Sequence, residues 1–293
     1  MDMLNSIDTS VGLDVGGTRI RAARVDVHGR IQGRVTEAVS RDRDSFLRQV
    51  LRLVSTVRDD TSRAVGIGIP GRVSGTNGAV HSAGYLDIGG LDLSHLVMEA
   101  TELPCRIEND ATMALIAEAQ NTSELVAMIT IGTGIGGALL RDGRPFYGSD
   151  FAGQFGHIIV AQNGPSCNCG QRGCVETFCA GPALGSLIAQ AGISKGTSAS
   201  DILAIAAGGD EVAAQIVTDW ATPMQRALQS LVAVVDPAFI ILGGGLGADM
   251  AQALARKPDV VDWFDRPIKA ARLGDKAGVV GAGLAALFLD NDS

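Results

Sequence analysis

Apolar positions open the chain in short runs broken by glycine. Residues 11–15 read as a buried strand, Gly16-Gly17-Thr18 as a tight turn, and 20–27 as a second strand with Arg19, Arg21 and Arg24 interspersed. His28-Gly29-Arg30 turns the chain into a third strand, 31–39. Phe46, Leu47, Val50, Leu51, Val54 and Val57 then recur at helical spacing, and 64–69 is a buried strand stopped by Pro70-Gly71. A helix capped by Asp92 or Ser94 is expected to run to about Glu102. A short strand, 106–108, and an alanine-rich helix, 111–120, follow it.

From Leu125 the opening pattern restarts. Residues 125–131 form an apolar strand, 132–137 a turn and 138–141 a returning strand, with a hairpin signal at Asp142-Gly143. Strand, Gly/Thr turn and strand thus occur twice, as a repeat of architecture without a repeat of sequence. The remainder is mostly helical, at 183–191, 199–207 and 211–233; Pro223 lies inside the last, where a kink or split is expected. Residues 239–242 form a final strand running into Gly243-Gly244-Gly245, and 279–289 an apolar helix.

Composition narrows the class. A chain of 293 residues is long enough for two ordinary domains. With only 4% aromatic residues, its core must be built from Ala, Val, Ile and Leu. The net charge of −8 disfavours a broad nucleic-acid surface. The N-terminus lacks the basic and apolar regions of a signal peptide, and the longest apolar run is broken at Asp236-Pro237. A cytoplasmic protein that does not enter a membrane is therefore expected.

The densest chemical signal lies between His157 and Glu176. His157, Cys167, Cys169 and Cys174 offer one imidazole and three thiolates, a complete ligand set for a tetrahedral structural zinc. Such a closed site would hold a loop rather than do chemistry, and would fix the groups at both its ends, His157 and Glu176. Three reduced cysteines beside an unrelated histidine, or a disulfide, are the alternatives. The two Gly/Thr turns suggest a phosphate held by backbone N–H groups and a threonine hydroxyl. Asp14, just before the first turn, has a carboxylate able to hold Mg²⁺ directly or through water. Asp110 reads as a helix cap or as a carboxylate kept ionised by the helix N-terminus, able to orient a hydroxyl during phosphoryl transfer.

These motifs, in this order, resemble the ROK family of sugar kinases. The matching pieces are L-D-V-G-G-T from Leu13, G-I-P-G from Gly68, E-N-D-A from Glu108, I-G-T-G-I-G-G from Ile131, G-H at Gly156-His157, C-x-C-G-x-x-G-C-x-E from Cys167 and L-G-G-G from Leu242. The resemblance implies an α/β fold of two actin-like (ribonuclease H-like) domains flanking a nucleotide and sugar cleft. The small N-terminal domain would be 1–108 joined by the C-terminal helix at about 279–293; the large domain would be 109–278, with the zinc loop at 157–176. It further implies transfer of the γ-phosphate of MgATP to a hexose hydroxyl, usually the 6-hydroxyl, with Asp110 as base. Asn109, Glu176 and His157 would lie at the sugar, His157 being also a zinc ligand. Gly16, Gly17 and Thr18, with Gly132, Thr133, Gly134 and Gly136, would face the ATP phosphates; Gly243, Gly244 and Gly245 would border the adenosine. By the same analogy a homodimer is expected.

Two departures bear on the substrate. Where the family usually has G-E-x-G-H, this chain has Gln154, which keeps one acceptor oxygen but loses the charge, so sugar recognition should be weaker or altered there. Where an Asn and a Trp are usual, Tyr85 and Asp87 stand. If Asp87 faces the sugar it would favour an amino-hexose such as glucosamine or kanosamine over glucose; N-acetylmannosamine is a further candidate. Family repressors carry a helix-turn-helix ahead of this core. Only about ten residues precede the first strand here, so no nucleic-acid partner is expected. A catalytically silent sugar-binding or regulatory protein is the alternative function.

Overall fold

The computed structural model describes residues 8–84, 86–120, 122–194, 196–256 and 262–288; Tyr85 lies outside them. Strands β1 (Thr9–Val15) and β2 (Arg19–Asp26) form an antiparallel hairpin whose register sets Asp14 opposite Arg21. β3 (Ile31–Ala38) extends it. Helix α1 (Arg43–Val57), capped by the Asp42 side chain, buries Phe46, Val50, Leu53, Val54 and Val57, as its spacing requires. β4 (Ser62–Ile69) pairs parallel to β1, and a small hairpin follows, β5 (Arg72–Val73) with β6 (Val80–Ser82). Next come α2 (Leu93–Thr101), capped by Asp92, then β7 (Cys105–Asn109), parallel to β4, and α3 (Asp110–Glu118).

The second half opens with β8 (Val126–Ile131), β9 (Ile135–Arg141) and the short β10 (Arg144–Pro145). After the cysteine loop come α4 (Glu176–Cys179), α5 (Gly181–Gln190), α6 (Ala199–Ala207) and α7 (Glu211–Val235). The chain ends with β11 (Phe239–Gly243), α8 (Gly247–Ala255), β12 (Ile268–Ala270) and α9 (Ala277–Leu287). Helix α7 runs unbroken through Pro223. The proline removes one N–H, but Trp220, Ala221, Met224 and Ala227 are buried on the same face and hold the helix in place.

The two sheets have matching orders, β3-β2-β1-β4-β7 and β10-β9-β8-β11-β12. In each, an antiparallel start gives way to parallel strands, with β4 on β1 and β11 on β8. The repeated strand–turn–strand of the sequence is thus the first hairpin of each sheet.

The chain divides into two compact units. One comprises 1–122, 140–152 and 275–293; the other comprises 123–139 and 153–274. The expected division after residue 108 falls inside β7, before its last residue and just ahead of α3. In the structure α3 packs along α9, so strand and helix stay together in the first unit. α9 is apolar on all sides and buried at every position but Gly278, against β1, β4 and α3. Its fit is backbone to backbone: a Cβ on Gly281 would stand 1.6 Å from the Met113 carbonyl oxygen, and one on Gly66 of β4 would stand 1.9 Å from that of Ala282. Ser10 Oγ donates to the Gly283 carbonyl at 2.6 Å. Among the described residues no helix is long and apolar enough to cross a membrane.

Candidate functional site

In the first unit, β1, β4 and β7 lie side by side and parallel, and their C-terminal ends carry the acidic groups. Asp14 is in register with Gly68, Gly68 with Glu108, and Ile69 with Asn109. Open α/β sheets bind ligands at this edge. Asn109 caps α3: its Oδ1 accepts the Ala111 N–H at 2.9 Å, and its Nδ2 donates to the Gly71 carbonyl at 2.9 Å. One amide hydrogen and one lone pair of Asn109 remain for a ligand. Asp110 is the first helical residue, and its Oδ1 also accepts the Ala111 N–H, at 2.8 Å. Burial, and then the nearby charge of Asp14, push the Asp110 carboxyl up to about 7, against the pull of the helix backbone. The depressed pKa expected from the helix N-terminus is therefore not what the structure gives, because desolvation outweighs it.

Asp14 is held by Arg21, whose Nη1 donates to Oδ2 at 3.1 Å and whose Nη2 reaches Asp275 at 3.2 Å. Burial raises the Asp14 carboxyl despite this guanidinium. A divalent cation beside it would restore the ionised form, so the group fits a Mg²⁺ role. Gly16, Gly17 and Thr18 form the β1–β2 turn, closed by the Gly16 N–H on the Arg19 carbonyl at 2.8 Å, with Gly17 and Thr18 exposed. Asp87 is exposed, and its backbone N–H donates to the Arg41 carbonyl at 3.3 Å. It lies a short path from Asn109: Gly71 packs on Ser82 and Ala83, and Ala83 bridges to Leu86.

In the second unit, everything converges on the β8–β9 turn. The turn closes through the Gly132 N–H on the Gly134 carbonyl at 2.9 Å, leaving Thr133 exposed. Glu176 Oε2 accepts the Ile135 N–H at 2.8 Å. Gly181 N–H donates to the Gly132 carbonyl at 2.7 Å. The glycines after β11 come to the same place, with the Leu246 N–H on the Ile131 carbonyl at 3.0 Å and Gly244 packed against Ile131. Gly156, next to His157, abuts the Ile135 carbonyl, and Gly136 lies within β9. Gln154 is exposed three residues before His157.

The cysteine loop is a compact knot. Gly173 takes φ +77°, and a Cβ there would stand 1.8 Å from the Ala161 carbonyl oxygen, so only glycine fits. Its N–H donates to the Pro165 carbonyl at 2.9 Å, and Cys167 N–H donates to Gln171 at 2.8 Å. The ligand atoms of His157, Cys167, Cys169 and Cys174 all lie within 4.8 Å of one another. Cys169 Sγ is 3.6 Å from Cys174 Sγ, and Cys167 Sγ is 3.7 Å from His157 Nδ1. A tetrahedron with Zn–S bonds of about 2.3 Å has edges of roughly 3.6–3.8 Å, so this donor set fits zinc. All five cysteines are free. Burial and the neighbouring thiols push Cys174 up to about 12, so an ionised cluster calls for a cation. Cys179 and Cys105 lie outside the cluster; the Cys179 carbonyl accepts the Trp220 indole N–H at 2.8 Å, and Cys105 is buried in the first core.

Three participants escaped the sequence reading. Arg21 was legible as the cross-strand partner of Asp14 once the hairpin was drawn. Gly71, present in the sequence as the end of G-I-P-G, and Gly181 take part through backbone carbonyl and N–H groups, which no side chain signals. A part-buried network on β7 was also missed: Glu108 accepts from Arg106 at 3.1 Å and from the Tyr147 hydroxyl.

Comparison with known proteins extends these observations to the whole chain. An N-acetylmannosamine kinase from Citrobacter koseri is 32% identical, over 95% of this chain and 98% of its own length. An N-acetyl-D-glucosamine kinase from Escherichia coli O9:H4 is 30% identical, over 92% of this chain and 97% of its own. Among solved structures, a ROK family glucokinase from Streptomyces griseus in complex with glucose and AMPPNP matches with a TM-score of 0.78 and 29% identity, covering 95% of this chain and 99% of that one. The ROK family model matches residues 10–290, and the chain belongs to the ROK family.

Proposed function

We propose that the protein is an ATP-dependent hexose kinase. It transfers the γ-phosphoryl group of MgATP to the 6-hydroxyl of glucose or of a related N-acetylated or amino-substituted hexose. The observation that carries this reading is Asp110, a carboxyl held at about 7 at the C-terminal edge of the first sheet, where a base for neutral pH is needed. Its relatives include kinases of N-acetylmannosamine and N-acetyl-D-glucosamine, and a glucokinase crystallised with glucose and an ATP analogue.

In this reading Asp110 Oδ1 stays on the Ala111 N–H while Oδ2 orients the acceptor hydroxyl. The oxygen–phosphorus bond forms as the bond to the ADP oxygen breaks, and the hydroxyl proton passes to Asp110. Asn109, Gln154, His157 and Glu176 bind the sugar hydroxyls. Asp14 holds Mg²⁺ directly or through water. Gly16 to Thr18 and Gly132 to Gly136 receive the phosphates, and Gly243 to Gly245 border the adenosine. His157, Cys167, Cys169 and Cys174 would hold a structural zinc, which would supply no chemistry and would tie His157 and Glu176 into one loop. Asp87 favours an amino-hexose, which is tested by whether Asp87→Asn shifts the ratio of glucosamine or kanosamine turnover to glucose turnover.

The deciding experiment is ADP release with MgATP against glucose, mannose, N-acetylmannosamine, N-acetylglucosamine, glucosamine and kanosamine. Turnover of one sugar, cut by about 10³-fold or more in Asp110→Ala while that sugar still binds calorimetrically, is expected. Near-normal turnover by Asp110→Ala would remove Asp110 as base. Sugar binding without turnover by the native protein would make it a binding protein.

A further inference from the structure

We infer that the zinc loop also sets the affinity for the nucleotide, with Glu176 as the positioning residue that carries the effect to the β8–β9 turn. This rests on the assignment of that turn to the ATP phosphates. Helix α4 is a single turn, and the turn at Gly132 is held from both its ends. At the start, Glu176 Oε2 accepts the Ile135 N–H at 2.8 Å. Gly134 lies so near that a Cβ there would stand 2.8 Å from the same oxygen. Just past the end of α4, Gly181 N–H donates to the Gly132 carbonyl at 2.7 Å.

The other side of α4 belongs to the metal loop. Cys174 precedes Glu176 by two residues, and between them the Val175 N–H donates to the Ile158 carbonyl at 2.9 Å, beside His157. Cys167 Sγ comes to 4.0 Å of Glu176 Oε1. A closed tetrahedral ion would fix Cys174, and through the two-residue link the start of α4, from which the Glu176 carboxylate projects. Loss of that carboxylate would take from the Ile135 N–H the acceptor that ties the turn to α4. The turn would then relax from the conformation that aims its N–H groups at phosphate. A role confined to sugar binding would leave nucleotide affinity, measured without sugar, untouched.

The test is calorimetric titration of MgAMP-PNP in the absence of sugar. It compares the zinc-loaded protein, the chelator-treated protein, Glu176→Ala and Glu176→Gln. Chelation is expected to weaken binding about tenfold, Glu176→Ala by a similar factor, and chelation of Glu176→Ala to add nothing further. Glu176→Gln keeps an acceptor for the Ile135 N–H and should stay within about threefold of the native protein. Where chelation unfolds the protein by circular dichroism, the Ala and Gln variants in the zinc-loaded form decide the matter. Unchanged affinity in Glu176→Ala, or equal losses in Ala and Gln, overturns the inference. Failure of the native protein to bind MgAMP-PNP sinks the nucleotide assignment itself, which the sugar panel reads independently.

Discussion

Asp110 shows how opposing local effects are settled by magnitude. The α3 N-terminus favours a carboxylate by a fraction of a kcal/mol, about 0.3–1 kcal/mol at exposed ends. Desolvation with a second carboxylate nearby shifts it the other way, to about 7. The kcat/KM profile should therefore fall on the acid side with an inflection near 7, and a flat profile down to pH 5 would contradict this. Stability follows with a definite sign. Between the ordinary carboxylate range and about 7 the folded state holds a proton that the unfolded state has released, so stability falls as pH rises through that window. Asp110→Asn, permanently neutral, should gain on the native protein across the same window and keep a constant advantage of a few kcal/mol above it, measured by denaturant midpoints. Gln154 offers the converse experiment. Gln154→Glu restores a charged acceptor and should lower the sugar KM by roughly tenfold with little change in kcat. That His157, Cys167, Cys169 and Cys174 would gather was legible in the sequence, because few residue types make a metal site and they stand close together in the chain. The direction of the Asp110 pKa was not, because burial is a property of neighbours far along the chain.

At the scale of elements, strands and long helices followed from apolar periodicity, and β1, β2, β4, α1 and α6 lie within a few residues of expectation. The short pieces did not. β5, β6, β10 and β12 have two or three residues each, too few for a period, and four-residue α4 is set by the cysteine loop rather than by its own propensity. The loop itself makes a sharp prediction. Gly173→Ala combines a left-handed φ with a Cβ 1.8 Å from the Ala161 carbonyl oxygen. It should lower zinc content per chain, read by elemental analysis, and speed amide exchange over 157–176 while leaving the sheet of β1, β2 and β4 protected. Equal zinc content and exchange would show that the loop tolerates another path.

At the scale of the molecule, the two sheets share one strand order, and the sequence showed this only as a repeated strand–turn–strand at each start. The membership of α9 in the first unit came from the family resemblance; the reason is packing. Gly281 and Gly66 let backbones meet without side chains between them, a feature that apolar patterning cannot reveal. Gly281→Ala should destabilise the first unit by about 3 kcal/mol or more, seen as an earlier unfolding transition for probes on β1 and β4, because the Met113 carbonyl has no room to yield.

The place of α9 has a consequence for synthesis. The strands it covers begin at residue 9, whereas the helix begins at residue 277. At about 5–20 residues per second, a ribosome needs on the order of tens of seconds to pass from one to the other. During that time β1 and β4 lack their cover, and the whole of the second unit, complete by residue 274, is made before it. The nascent N-terminal sheet is thus the segment most in need of a chaperone. A message truncated before codon 277 yields a chain with one finished unit and one open apolar face, marked for degradation by the same glycine-lined surface that makes the finished protein tight.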